Sequence, residues 1–164
     1  MDTISVEIRR LLGKDATKGL AARYIHLMDQ LSPGKYGDMR VGEMVRYIAG
    51  SVPGNIHIFG AFAGEGDEEK LVAVASIFWL NQPRGWEAQL HNVVIDLPFR
   101  GRGIFHQLMD FAKAFAADGH PKTNGRKSYK MTFTSKPGAD DKYLKEGFVP
   151  WEQGYRFDIV REAA

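Results

Sequence analysis

Apolar and polar residues alternate over residues 4–12 ("ISVEIRRLL"), which predicts a first, half-buried strand. Leu20, Tyr24, Leu27, Met28 and Leu31 then recur at helical spacing, and Asp15 stands where an N-cap would open that helix. The turn-forming stretch "SPGKYGD" leads to a shorter helical stripe, Val41, Met44, Val45 and Ile48, with Asp38 as its expected cap and Gly50 and Pro53 as its stop. Three strand-like runs follow, "NIHIFGAFA", "KLVAVASIFWL" and "WEAQLHNVVID". Their short links, "GEGDEE" and "NQPRG", are the kind that join antiparallel hairpins. The clearest helix spans residues 103–117, where Ile104, Leu108, Met109, Ala112, Phe115 and Ala116 form one apolar stripe. After the loop "DGHPKTNGRKS" come a strand "YKMTFTS" and a short helix in "GADDKYLKEGF" closed by Gly147. The segment "FVPWEQGYRFDIV" supplies one bent strand or two short ones. The order is β-α-α-β-β-β-α-β-α-β(β), a mixed α/β chain. No linker, repeat or low-complexity segment divides it, so residues 1–164 read as a single domain.

Composition narrows the function classes. The 164 residues are 44% hydrophobic and 26% charged, as in an ordinary soluble globular domain. A net charge of +2 is too small to imply a nucleic-acid partner by itself. The absence of cysteine excludes disulfides, thiolate metal sites and a cysteine nucleophile. No apolar run approaches the roughly 20 residues of a membrane span, and the amino terminus carries no signal-peptide pattern, so a cytoplasmic protein without a membrane partner is expected. His26, His57, His106 and His120 have no metal-ligand spacing and read as structural or surface residues; no metal is expected.

One stretch stands apart. In "VVIDLPFRGRGIFHQLMDFAKAF" a strand ends at Asp96 and a helix follows Arg100-Gly101-Arg102-Gly103. Glycines weaken a helix start, so another use must account for them. A turn of this kind points the first amides of the helix at whatever lies above the strand end, and those amides attract an anion, commonly a phosphate. Glycine lets the backbone come close, and Arg100 and Arg102 add charge-assisted bonds. A solvated basic turn is the plain alternative. The pattern is neither a GxGxxG dinucleotide fingerprint nor a Walker A loop.

The stretch resembles motif A of the GNAT superfamily of N-acetyltransferases: a strand, then Arg/Gln-x-x-Gly-x-Gly/Ala, then a helix. The pattern falls on Arg100, Gly103 and Phe105, the last standing where Gly or Ala is usual. Some 40 residues on, Ala139, Tyr143, Gly147 and Phe148 match the A-x-x-x-Y-x-x-x-G-F ending of the same family's last helix. The element order fits that fold over nearly the whole chain. The resemblance therefore implies a central, mixed, largely antiparallel sheet flanked by helices. It also implies acetyl-CoA as cosubstrate, with its pyrophosphate on Arg100, Gly101, Arg102, Gly103, Ile104 and Phe105. Lys136 occupies the place of the family's pantetheine-touching Asn.

Acetyl transfer to an amine needs a base for the amine proton, a fixed N–H for the thioester oxygen and a proton for the departing sulfur. The resemblance puts the polarising amide around Val93, Val94 and Ile95. Period-2 alternation sets Glu87, Gln89 and His91 on one strand face. The family commonly carries a Glu or His base on this strand, and His91, which titrates near neutrality, is the first candidate. Glu87 or a water chain stands behind it, and a strand histidine bonding a backbone carbonyl is the bland reading. Tyr143 is the candidate acid, its alternative a packed core tyrosine. For the acceptor, a primary amine of a small molecule or of a protein lysine or N-terminus, the nearby pieces hold Tyr36, Trp79, Trp86, Trp151 and Tyr155. Asp38, Glu43 and Glu152 are carboxylates that could meet a cation there. Two rivals stay open: a catalytically silent module that binds coenzyme A, and a nucleic-acid-binding domain using Arg100 and Arg102 with Lys122, Arg126, Lys127 and Lys130. A homodimer is also left open.

Overall fold

A computed structural model of the chain describes residues 3–51, 55–83, 85–118, 128–133 and 140–150. They fall into two compact units that divide after Phe133. The larger holds β1 (Glu7–Arg10), α1 (Lys18–Leu31), α2 (Val41–Ser51), β2 (Ile56–Ala63), β3 (Lys70–Gln82), β4 (Gly85–Ile95), α3 (Ile104–Asp118) and β5 (Ser128–Phe133); the smaller holds α4 (Asp140–Lys145). The five strands lie in chain order in one sheet. The first four are mutually antiparallel, and β5 runs parallel to β4. The mixed α/β order predicted from the hydrophobic periods is the observed one through α4. From residue 151 on, the last predicted strand lies outside the described residues.

Each sheet face buries against helices. Leu27 and Met28 of α1 and Met44 and Ile48 of α2 share a core with Ile58, Phe62, Leu71, Val74 and Val94. On the other face α3 buries Ile104, Leu108, Met109, Ala112 and Ala116, while Phe115 meets Phe59 at a ring separation of 4.8 Å and Trp79 at 6.0 Å. Among the described residues no helix is long and apolar enough to cross a membrane.

The helix starts differ from the expected ones. Asp15 lies in a 3-10 turn (Gly13–Asp15), where its carboxylate accepts the Leu12 amide at 2.7 Å. Thr17 caps α1, its hydroxyl accepting from Leu20 N at 3.2 Å. Asp38 does not cap α2 either. The Arg40 carbonyl accepts from Met44 N at 3.2 Å, and the Glu43 carboxylate accepts the Arg40 amide at 3.2 Å. Both helices begin two residues late; at α1 the boundary is set by the polar side chain that reaches a first-turn amide.

β4 carries the feature that organises the site. Its pairing with β3 shifts between Val74↔Val94 and Ser76↔His91, so β4 spends one more residue than β3 over this interval. Asn92 sits in that bulge at φ 55, and its side-chain amide donates to Ser76 Oγ at 3.3 Å. The extra residue inverts the alternation. Up to His91 the odd positions Glu87, Gln89 and His91 face the α1–α2 side, while Ala88 and Leu90 face α3. Past the bulge the even positions take over, and Val94 joins the α1–α2 core. A β-branched residue resists the left-handed conformation that glycine accepts freely. Asn92→Val should therefore cost about 1 to 2 kcal/mol in denaturant unfolding while Asn92→Gly costs less. Equal losses would show that side-chain bonding, and not backbone conformation, holds the bulge.

Candidate functional site

The turn between β4 and α3 is built from backbone. Asp96 closes the strand, Leu97–Phe99 form a 3-10 turn, and Gly101 and Gly103 follow at φ 74 and φ 76, conformations that side-chain-bearing residues resist. The first intrahelical bond runs from Gln107 N to the Gly103 carbonyl at 3.3 Å, so the amides ahead of it point toward the turn. Arg100 donates through Nε to the Ile95 carbonyl at 2.9 Å, and its guanidinium is thereby folded back over the end of β4. The guanidinium carbon of Arg102 stands 5.9 Å from the centre of the Phe99 ring. Ile104 is buried, so its side chain packs and only its amide can serve a ligand.

The amino-terminal residues lie against this turn, which is why β1 is shorter than predicted. Ile4 N donates to the Arg102 carbonyl at 3.1 Å, and Gln107 of α3 bonds the Ile4 carbonyl at 2.8 Å and the Val6 amide at 3.4 Å. These groups are engaged with the turn and helix rather than with β2.

Among the described residues, β5 pairs with β4 only as far as Leu90↔Phe133. From His91 through Val93, Val94 and Ile95, the edge toward β5 has no described strand partner, while Val94 and Ile95 remain paired with β3. Before the bulge the predicted polar row is present. His91 is exposed, its ring 4.7 Å from that of Phe78, and desolvation by the protein lowers its pKa below the ordinary 6.5. Its backbone carbonyl accepts from Ser76 Oγ at 3.3 Å, which leaves the imidazole out of that bond. Glu87 differs from His91. It is buried and its Oε1 accepts from Thr132 at 2.8 Å and Gln89 at 3.4 Å; Oε2 lies 3.4 Å from the Lys130 ammonium. Burial alone would raise its pKa, but the Thr132 and Gln89 bonds and the Lys130 charge outweigh it and the net shift is downward. Lys130 thus serves a carboxylate; Lys122, Arg126 and Lys127 lie outside the described residues.

Other predicted positions sort less evenly. Trp79, expected near an acceptor, is 1% exposed and packs in the α3 core, because its strand parity points it away from the α1–α2 side. Tyr36 is half-buried against the α1–α2 core, Trp86 is half-buried near the start of β4, and Asp38 and Glu43 are exposed. Lys136, Trp151, Glu152 and Tyr155 lie outside the described residues. In the smaller unit Tyr143 is buried, its ring edge-on to Phe148 at 6.0 Å, and burial raises its phenol pKa. Gly147 at φ 82 closes α4, with Phe148 N donating to the Tyr143 carbonyl at 3.2 Å. Sequence reading missed Asp96, which is 3% exposed and holds Arg23, His26 and Gln30 of α1 about its carboxylate. The signal was there: Arg23, His26 and Gln30 share one helix face at i, i+3 and i+7.

Residues 28–123 match the model of the acetyltransferase (GNAT) family. Solved structures share the fold. An acetyltransferase of Trypanosoma brucei is 18% identical with a TM-score of 0.73, the match covering 94% of this chain and 100% of that one. Glucosamine-6-phosphate N-acetyltransferase from Arabidopsis thaliana is 22% identical with a TM-score of 0.70, covering 94% and 99%. A predicted acetyltransferase from Clostridium acetobutylicum, solved with acetyl-CoA, is 16% identical with a TM-score of 0.64, covering 94% and 96%. Among curated proteins, none matches the sequence.

The turn's geometry sets a stability test. A Cβ on Gly103 would meet Thr3 Cγ2 at 3.0 Å in a conformation at φ 76. Gly103→Ala should cost about 1 to 2 kcal/mol by chemical denaturation. Adding Thr3→Ser, which deletes the opposing methyl, should recover the contact part and leave the conformational part. Full recovery would mean that the backbone is not constrained there.

Proposed function

The chain belongs to the acetyltransferase (GNAT) family, and we propose that it is an acetyl-CoA-dependent N-acetyltransferase acting on a primary amine of a small molecule or a protein. The observation that carries this reading is the junction of β4 and α3. Two glycines at positive φ open a helix at the end of a strand whose edge has no described partner past Leu90. Without side chains at Gly101 and Gly103, backbone amides can approach a pyrophosphate, and Arg100 and Arg102 add charge beside it. The relative solved with acetyl-CoA and the glucosamine-6-phosphate N-acetyltransferase have the same fold, in keeping with that cosubstrate and with an amine acceptor.

Bound acetyl-CoA would supply the activated acetyl group. The protein's part is to hold it by the turn through residues 100–105, with the pantetheine contact assigned to Lys136, and to polarise the thioester oxygen with an amide of Val93, Val94 or Ile95. His91 takes the proton from the attacking amine. It suits that role better than Glu87, whose carboxylate is already bonded by Thr132 and Gln89 and is lowered in pKa. Tyr143, assigned by the A-x-x-x-Y-x-x-x-G-F motif, returns a proton to the departing sulfur. Its raised pKa keeps the phenol protonated at neutral pH, as a donor must be.

Acetyl-CoA should raise the Tm of the wild-type protein, since a ligand that binds only the native state stabilises it. Gly103→Asp, which fills the approach and adds a like charge, should show no shift from its own apo Tm. Equal shifts in both proteins would remove the turn from the cofactor site. Binding by wild type with no transfer to any amine would favour the silent module.

As base, His91 works in its neutral form. Because its pKa is lowered from 6.5, kcat/KM should fall on acidification through a midpoint below 6.5. His91→Ala should lower kcat/KM by roughly 10²- to 10⁴-fold and abolish that limb. An undiminished rate at pH 7 would pass the proton to a water chain or to Glu87.

A further inference from the structure

Past the Asn92 bulge the inverted alternation turns Asp96, the residue that follows β4, to the α1 side. Three polar residues of one α1 face meet it there. Arg23 Nη2 forms a close ion pair with Oδ2, Gln30 Nε2 donates to Oδ1 at 2.7 Å, and His26 Nε2 lies 3.6 Å from Oδ1. Each main partner also holds backbone. Arg23 Nε donates to the Leu71 carbonyl at 2.9 Å, Gln30 Oε1 accepts the Leu97 amide at 3.0 Å, and the Asp96 amide donates to the Val72 carbonyl at 2.8 Å. Val72 is the extra residue of a second irregularity, where β3 shifts register against β2 between Ala61 and Phe62. Helix α1, strand β3, the end of β4 and the first residue of the phosphate turn therefore meet in one bonded set.

We propose that Asp96 is a positioning residue that ties α1 to the entry of the turn, so that ligand binding at the turn and the placement of α1 are coupled. The proposal rests on the reading of the turn as the coenzyme A site. Leu97 is 61% exposed, so its side chain adds little packing at the turn entry. What fixes Leu97 on this side is its amide on Gln30. A carboxylate this buried cannot lose a partner cheaply, so a shift of α1 would strip bonds from Asp96 and Leu97 together. Because one bonded set holds both α1 and the turn entry, a bias at one end reaches the other, reciprocally. Residues of α1 should thus affect coenzyme A binding through Asp96 and Leu97.

The test measures coenzyme A affinity by calorimetry, with Tm, for wild type, Arg23→Met, Gln30→Ala, Asp96→Asn and the Gln30→Ala/Asp96→Asn double variant. Gln30→Ala leaves the Arg23 ion pair in place and keeps the test available should Asp96→Asn fail to fold. The α1 variants should bind coenzyme A about tenfold more weakly, and the double variant should be no weaker than the worse single one, the sign of a shared network. Amide exchange in residues 23–30 should slow on adding coenzyme A to wild type and remain unchanged in Gln30→Ala. A purely structural role lowers Tm and leaves the Kd of the folded protein alone, and folded variants that bind like wild type overturn the proposal. Wild type that fails to bind coenzyme A overturns the reading of the turn and this coupling with it, an outcome distinct from the first.

Discussion

A single inserted residue in β4 decides what the rest of the site can be. Strand side chains alternate with a period of two, so one extra residue exchanges the two faces for everything beyond it. Before Asn92, β4 offers Glu87, Gln89 and His91 to the α1–α2 side; after it, Val94 packs there and Asp96 reaches Arg23 and Gln30. In a regular strand Asp96 would point to the α3 side, away from Arg23, His26 and Gln30. Among the described residues the ladder with β5 runs as far as Leu90↔Phe133. The packing of Val94 and the anchored turn entry thus share one local cause.

The same geometry divides the electrostatics. Glu87 and His91 share a strand face, yet differ in what surrounds them. The carboxylate is buried and saturated by Thr132, Gln89 and Lys130, so its charge is held in place and its proton affinity is lowered. The imidazole is exposed at the end of the row, beside Phe78, and desolvation favours its neutral form. Among the described residues, the imidazole makes no side-chain hydrogen bond along this row, whereas the Glu87 carboxylate is engaged by Thr132, Gln89 and Lys130.

The legible parts of the chain were those written as periods. The stripe of α3, the hairpin strands and the Arg-Gly-Arg-Gly turn all follow from spacing, and each is found where spacing places it. What escaped was decided by single residues. "LHNVVID" reads as an unbroken strand, and nothing in its pattern marks Asn92 as the inserted residue, though asparagine tolerates the left-handed conformation better than its neighbours. The missed bulge hid the role of Asp96, because uncorrected alternation sends that side chain to the other face. Thr17 and Arg40 displaced Asp15 and Asp38 as caps because several polar residues crowd each helix start, and spacing does not rank them. Trp79 was placed near an acceptor for its residue type, when its parity alone assigns it to the α3 core.

The two arginines of the turn, equal in the sequence, are unequal in the fold. Arg100 is fixed by a bond from Nε to the Ile95 carbonyl, so its charge is held at the end of β4 before any ligand arrives. Arg102 has its guanidinium beside the Phe99 ring at 5.9 Å, a weak contact that a phosphate could replace, while its own carbonyl is held by the amide of Ile4. A fixed charge costs no ordering entropy when an anion binds, whereas a movable one can adjust to the anion's shape. The turn therefore places backbone amides set by Gly101 and Gly103 beside one bonded and one loosely held guanidinium. That division follows from the fold on either side of the turn, with β4 supplying the carbonyl that holds Arg100 and the amino-terminal residues the amide that holds the backbone of Arg102.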